Sequence, residues 1–315
     1  MKGLRSMDKN KRASLKTLKK EIWRHRELYL FLLPAVVLLI VFDYIPIYGV
    51  TMAFQDVKIG DKFGQSEWIG LYHFKRFFSS SWLPIILKNT VSIALLTNVL
   101  GWPLAPLLAI MLHNSNSKKI KKVVQNITYI PYLLSIVVVV SIINVFCAGE
   151  TGLINIILRN LGLERINFFG NPDWVYPLHF VIDAWKGTGY GAIVYLGALS
   201  SIDEEMIEAA RVDGAGKLRV IWNIQIPTIM PTIITMLILN MGNVFSIGIN
   251  TALLLQTDLN LSNSEVIGTY VYKAGVMGAQ YGFSTAIGLF QNIINFAMLL
   301  LVNYLARKFS ETSVI

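Results

Sequence analysis

Glu208-Ala209-Ala210-Arg211-Val212-Asp213-Gly214, followed after nine residues by Ile224-Gln225-Ile226-Pro227, lies in a polar loop between two strongly apolar segments. Just upstream, Ser201-Ile202-Asp203-Glu204 fits a capping box, with Ser201 able to cap the backbone and Glu204 to reach back. Met206, Ala209, Ala210 and Asp213 then recur at helical spacings of three and four. The two alanines make one face small, so another surface can approach its backbone closely. Gly214 is suited to end this helix, because it tolerates the left-handed conformation of a C-terminal cap. Lys217–Ile224 reads as a second short helix with Leu218, Ile221 and Trp222 on one side. Pro227 suits the first turn of the apolar segment that follows, where no donor is lost. A helix, a bend and a second helix joined to a span can carry a push from a partner into that span. The competing reading is an amphipathic loop lying on lipid headgroups. Asp203, Glu204, Glu205, Glu208 and Asp213 disfavour it, since an anionic surface repels them.

Outward from this loop the chain reads as a membrane protein. Of its 315 residues 54% are hydrophobic and only 15% charged, and the mean hydropathy is +0.54. A soluble domain carries about a quarter charged residues. Several apolar runs approach the roughly 20 residues that cross a bilayer as a helix, and backbone groups in lipid must be satisfied within the segment. The expected class is therefore an all-α membrane protein. Its six spans fall near Leu28–Ala53, Ile86–Leu112, Val124–Phe146, Trp174–Leu199, Pro227–Ile249 and Phe283–Ala306. The first run is too long for the apolar part of a signal peptide and reads as a retained anchor. The run Leu153–Leu158 reads as an interfacial or re-entrant helix.

Charge gives the orientation. The arm 1–28, Lys118-Lys119-Ile120-Lys121-Lys122, the 203–226 loop and the tail 307–315 hold nineteen Lys and Arg residues, against eight in the opposite loops. That bias places both termini and the 203–226 loop, between spans four and five, in the cytoplasm. The domain plan is a basic cytoplasmic arm (1–28), a six-helix transmembrane domain (29–306) and a cytoplasmic tail (307–315). The net charge of +9 does not indicate nucleic acid. Its cations cluster beside the first span and no nucleic-acid-reading module accompanies them. The single Cys147 rules out an intramolecular disulfide, and four scattered histidines offer no metal or nucleophile constellation.

Intramembrane polar residues are candidates for a solute path. Asp183 and Lys186 are spaced i,i+3 in the fourth span and can neutralise each other. Alternatively they bond a hydroxyl-bearing solute, or Lys186 meets an acidic group on it, with Trp185 and Tyr190 stacking on its rings. Asn240, Asn243 and Asn250 fall roughly on one face of the fifth span, where amides offer donors and acceptors but also join helices. Asn292 and Asn295 in the last span carry the same two readings. Replacing Lys186 and Asn243 is expected to impair passage of that solute without loss of assembly.

The pattern E-A-A-x3-G-x9-I-x-[LI]-P resembles the EAA loop of permease subunits in bacterial ATP-driven (ABC) importers. Together with six spans, it makes nearly the whole chain similar to carbohydrate-uptake permeases of the maltose-transporter type. Tyr44-Ile45-Pro46-Ile47-Tyr48-Gly49, Ala53-Phe54-Gln55-Asp56, Trp68-Ile69-Gly70-Leu71, Thr269-Tyr270-Val271-Tyr272-Lys273-Ala274-Gly275 and Thr285-Ala286-Ile287-Gly288-Leu289-Phe290 resemble a subgroup serving oligosaccharides released from polysaccharides. Two departures are Ile226 for the usual Leu, and Gly248-Ile249-Asn250-Thr251 where the subgroup often has an acid and an amide.

The resemblance implies a multi-pass permease in the bacterial cytoplasmic (inner) membrane, importing an oligosaccharide by alternating access. Its expected partners are a second, homologous permease subunit, two cytoplasmic ATPase subunits, an extracytoplasmic solute-binding protein and membrane lipid. Glu208, Ala209, Ala210, Asp213, Gly214, Ile224 and Pro227 are the expected ATPase-coupling residues. The sequence contains no G-x-x-x-x-G-K-[ST], so no catalysis and no cofactor are expected here, ATP and magnesium being bound by the partner ATPase. Other readings are a permease of the same class for a non-sugar solute and a stand-alone secondary transporter, which predicts internal repeats that this chain does not show.

Overall fold

The computed structural model describes residues 23–62, 64–246 and 248–309. The basic arm expected over 1–28 and the tail over 307–315 lie largely outside the described residues. Two compact units divide at Met52/Ala53. The first is built on the helix α1 (Arg26–Phe54), which contains Pro34 and a π-helical turn at Ile40–Tyr44.

The second unit is helical apart from a two-residue ribbon, β1 (Gln55–Asp56) antiparallel to β2 (Glu67–Trp68), a small departure from the expected all-α chain. In order come α2 (Tyr72–Phe78), α3 (Leu83–His113), α4 (Lys118–Leu133), α5 (Ile136–Cys147), α6 (Leu153–Asn160) and α7 (Val175–Leu199). The loop helix α8 (Glu204–Val212) precedes α9 (Lys217–Met241), α10 (Ile249–Leu255), α11 (Leu261–Ser264), α12 (Ile267–Tyr272) and α13 (Tyr281–Phe309). Among the described residues, four helices are long and apolar enough to cross a membrane, namely α1, α3, α9 and α13, or five if the bent pair α4–α5 counts as one. At 1.5 Å per residue α7 is about 37 Å long, but its polar residues keep it out of that set.

Two expected spans are corrected. Val124–Phe146 is not one helix, because α4 and α5 meet at a 108° bend. Leu134 is extended there and Ser135 caps α5, its Oγ accepting from Val138 N at 3.3 Å. The fifth span was expected to run to Ile249 but stops at Met241. Asn295 accepts from Phe245 N at 3.0 Å and donates to Ser246 Oγ at 2.9 Å, holding the chain in the turn beyond. Asn295 thus joins elements, as one of its two sequence readings allowed. The expected helix around Leu153–Leu158 is α6.

Prolines shape the spans. Pro103 and Pro106 cannot donate to the ladder of α3, and a π-helical stretch at Leu96–Gly101 precedes them. Thr97 Oγ1 and Asn98 Nδ2 donate to the carbonyls of Ile93 and Ala94 (2.9 and 2.8 Å), keeping polar backbone satisfied in an apolar setting. Across the bundle α7 packs on α3 and α4. A Cβ at Gly189 would overlap the Thr128 carbonyl of α4, so the two backbones meet at that point. Gly189→Val is expected to part α4 from α7 at a cost of about 1–3 kcal/mol. A lowered melting temperature of the purified protein, set against Gly187→Ala in open space, checks this.

Candidate transport cavity and coupling surface

Helices α3, α7 and α9 line an open-sided cavity of about 530 Å³ whose walls include Asn98, Trp102, Asp183, Tyr190, Tyr195 and Asn240. The π-helical stretch in α3 brings Thr97, Asn98, Gly101 and Trp102 to its wall, and such distortions often mark functional positions. The lining mixes aromatic rings with amide and carboxylate groups, the combination that suits hydroxyl-rich ligands.

Of the seven expected path residues, Asp183, Tyr190 and Asn240 line this cavity, whereas Trp185, Lys186, Asn243 and Asn250 do not. The expected single face of asparagines fails because the helix ends at Met241. Asn243 lies in the turn and Asn250 in α10. Tyr190 stacks on Tyr132 of α4, with ring centroids 3.7 Å apart.

The expected Asp183–Lys186 pair is also corrected. Asp183 Oδ2 lies 3.0 Å from Nδ1 of His179, one turn earlier on α7. His179 is buried, and neither of its ring nitrogens has a hydrogen-bond partner, so this is a close approach without hydrogen-bond alignment. Lys186 turns to the broken end of α4. Its Nζ donates to the carbonyls of Leu134 (2.6 Å), Tyr132 (2.9 Å) and Pro131 (3.4 Å) and sits 5.4 Å from the Tyr132 ring centroid. A cation at a helix C-terminus is favourable, because the last carbonyls of a helix lack i+4 donors. Lys186→Met is expected to lower thermal stability by about 1.5–3 kcal/mol, the range for a charge-assisted hydrogen bond. Thermal melts recorded without any solute check it, since a residue needed only for substrate leaves them unchanged.

The loop expected to couple is two-faced. Asp203, rather than Ser201, caps α8, its Oδ1 accepting from Glu205 N at 3.0 Å. Ser201 Oγ instead donates back to Ala198 O at 2.8 Å, because it still belongs to the end of α7. Gly214 (φ +79°) terminates α8. Its N–H bonds Arg211 O at 3.0 Å and the next N–H bonds Ala210 O at 2.9 Å, the Schellman pattern. Inward, Ile202, Ile207, Ile221, Ile224 and Ile226 pack on Ala109 and Ile110 of α3 and on Ala192, Tyr195 and Leu199 of α7. Ile221 therefore parts from Leu218 and Trp222, with which it was grouped. Outward, Val212 (87% exposed), Leu218 (72%) and Trp222 (67%) stand free, with Glu208, Ala209 and Asp213 also exposed and Ala210 half-buried.

The loop is tied to α3 by a reciprocal amide pair that sequence reading missed. Asn114 Nδ2 donates to Gln225 Oε1 at 2.7 Å, and Gln225 Nε2 donates to Asn114 Oδ1 at 3.0 Å. Gln225 is 1% exposed and lies in a π-helical stretch, Ile221–Gln225, just before Pro227. From Lys217 to Met241 the helix is continuous, so the loop's second limb and the cavity wall at Met236 and Asn240 are one element. Asn114→Leu is expected to cost about 1–3 kcal/mol by leaving Gln225 unpaired, and Asn114→Leu with Gln225→Leu to cost less than the sum of the single changes. A double-mutant cycle of thermal stabilities measures this.

Comparison with known proteins bears on these features together. Residues 101–311 match the family model described as binding-protein-dependent transport system inner membrane component. The chain is 36% identical over 307 residues, 98% of this chain and 94% of its relative, to the polygalacturonan/rhamnogalacturonan transport system permease protein YteP of Bacillus subtilis (strain 168). It is 37% identical over 93% of its length, and 91% of its relative, to protein LplB of the same organism. Among solved structures, it is similar to a chain of a bacterial alginate ABC transporter in complex with an alginate pentasaccharide-bound periplasmic protein. There the TM-score is 0.86 at 34% identity, over 94% of this chain and 99% of that one.

Proposed function

The chain belongs to the family of binding-protein-dependent transport system inner membrane components, and from that premise we propose that it is the membrane-spanning permease subunit of an ATP-driven importer for an oligosaccharide released from a polysaccharide. The observation that carries this reading is mechanical. A capped, two-faced loop is bonded to α3 and continuous with α9, two of the three helices that wall the cavity.

In this reading six segments cross the inner membrane, with α7 and the bent pair α4–α5 among them. Both termini and the 203–226 loop face the cytoplasm, as the lysine and arginine bias requires. A cytoplasmic ATPase dimer receives the exposed face of α8 and the adjoining turn of α9. Glu208, Ala209, Ala210, Asp213 and Gly214 shape that contact, while Ile224 and Pro227 anchor it to the span. ATP and magnesium belong to the ATPase, so this chain performs no catalysis. A second, homologous permease subunit completes the pore and an extracytoplasmic binding protein delivers the sugar. The relatives support the solute class. One is a polygalacturonan/rhamnogalacturonan permease, another an arabinooligosaccharide permease at 28% identity over 90% of this chain, and the structural neighbour handles alginate.

Movement of the ATPase pair displaces the loop, and the Asn114–Gln225 bonds and the continuous α9 pass that displacement to the cavity walls. Asp183, Tyr190 and Asn240 offer the sugar a carboxylate, a ring and an amide within the cavity. Opening the cavity first to one side and then to the other needs no covalent step.

The test is uptake of radiolabelled oligosaccharide by proteoliposomes holding the whole transporter with its binding protein. Gly214→Val and Glu208→Lys are expected to lower uptake about tenfold or more while ATP hydrolysis persists, and Asp183→Asn to lower uptake with assembly intact. Failure of any ATPase subunit to co-purify with the chain sinks the reading.

A further inference from the structure

Lys186, Gly189 and Tyr190 are spaced three and four residues apart, so they share the face of α7 that packs on α4. Each holds a different point of α4. The Gly189 backbone meets the Thr128 carbonyl, the Lys186 ammonium bonds the carbonyls of Pro131, Tyr132 and Leu134, and the Tyr190 ring covers the Tyr132 ring. Of the three, Tyr190 alone also lines the cavity.

The ring contact is unusual in kind. The two planes lie 1° from parallel with centroids 3.7 Å apart, a nearly full sandwich. Aromatic quadrupoles favour offset or edge-on pairs over a sandwich, so attraction between the rings does not account for the arrangement. The surrounding contacts do. Gly189 fixes α4 at Thr128, one turn before Tyr132, and Lys186 fixes it at the Tyr132 carbonyl itself. Lys186 Nζ also stands 5.4 Å from the Tyr132 ring centroid, within reach of a cation–π attraction.

The consequence falls on Tyr190. An exposed tyrosine on a helix ordinarily moves among its rotamers within nanoseconds. With one face laid on Tyr132, this ring is held in one plane, yet the residue stays 47% exposed at the cavity wall. A ring that is fixed in plane and half open is a platform for the C–H face of a sugar. The entropy of fixing it is met before the sugar arrives, which is the advantage of preorganisation.

We propose that Tyr132, which does not itself line the cavity, is a positioning residue for transport. It backs Tyr190 and holds that ring as a preset platform for a passing sugar ring. The proposal rests on the oligosaccharide reading above and adds the residue that makes the contact at Tyr190 rigid. Because Tyr132 belongs to the last turn of α4, the platform is also tied to the α4–α5 bend.

The test is uptake by proteoliposomes holding the whole transporter with its binding protein, offered trigalacturonate, arabinotriose and an alginate trisaccharide in turn. Tyr132→Leu fills space without a flat face. It is expected to lower the maximal uptake rate about fivefold, the size of one aromatic contact, with the half-saturating concentration of loaded binding protein unchanged. Tyr132→Phe should keep the wild-type rate, because the platform needs the ring and not the hydroxyl. Tyr190→Leu should lower the rate at least as far as Tyr132→Leu. Adding Tyr132→Leu to it should cost nothing more, since Tyr132 acts only through Tyr190. A merely structural Tyr132 would lower the rate again in the Tyr190→Leu background. Tyr132→Met replaces the leucine variant if that one does not assemble. Failure of both to assemble, with Tyr132→Phe assembled, assigns Tyr132 to the fold alone and overturns the platform. So does a wild-type rate in assembled Tyr132→Leu, an equal loss in Tyr132→Phe, or a further loss in the double variant. Each of these leaves the importer reading standing. If the wild type takes up none of the oligosaccharides, the importer reading falls and the platform with it.

Discussion

Every backbone donor and acceptor that enters lipid must find a partner inside the protein, and the form of this chain follows from how it meets that demand around its prolines. Pro103 and Pro106 in α3, Pro131 in α4 and Pro227 and Pro231 in α9 each remove a donor from a helix that otherwise satisfies itself. Side-chain bonds and local rewinding lie close to these positions. Thr97 and Asn98 bond carbonyls of their own helix, Thr228 and Thr235 do the same in α9 (2.7 and 2.9 Å), and π-helical stretches precede Pro103 and Pro227. At the bend after Pro131 the demand is too large for one helix, and Lys186 reaches across from α7 to three carbonyls. These irregular places are also where the cavity wall and the attachment of the 203–226 loop lie.

The joint has a simple mechanical logic. A loop on the surface moves nothing unless it is stiff and attached at more than one point. Stiffness comes from the Asp203 cap and the Gly214 terminus, which fix both ends of α8. Attachment comes from the isoleucines packed on α3 and α7, from the Asn114–Gln225 bonds and from the unbroken α9. The loop is thereby attached to three helices, and those three line the cavity. Leucine or isoleucine in place of either amide fills space but gives no directed bond, whereas two complementary amides set both distance and orientation.

The local features were legible in the sequence. Helical spacing and Gly214 announced α8 and its end because each acts over one turn of chain, whereas Pro227 lies within the unbroken α9 rather than in the first turn of a separate span helix. The Ser201 cap misled by two residues because Asp203, Ser201 and Glu204 compete within one turn and only the end of α7 decides between them. The Asp183–Lys186 pair misled for a larger reason. Spacing i,i+3 permits an ion pair, but Lys186 meets carbonyls more than fifty residues earlier in the chain, and no local pattern reveals a broken helix end. Ser135 ahead of a valine run, four residues after Pro131, was the available sign of that break. The face formed by Asn240, Asn243 and Asn250 failed because it assumed a helix that continued past Met241. Asn295 and Gln291 on α13 fix the turn there through Phe245 and Ser246, a tertiary cause invisible in α9.

The chemistry of the exposed face of the loop limits what can cover it. Val212, Leu218 and Trp222 are large apolar side chains left open to water, and covering each recovers roughly 1.5–3 kcal/mol of transfer free energy. A lipid surface could cover them, but α8 brings Glu204, Glu205 and Glu208 to the same place, and anionic headgroups oppose those charges. A protein cleft with an apolar floor and a basic rim meets both conditions at once. Ala209 lets such a cleft approach the α8 backbone closely, where a larger residue would hold it off. The motif is thus a compromise in which its isoleucines secure the loop to this chain and its small and acidic residues stay open to water.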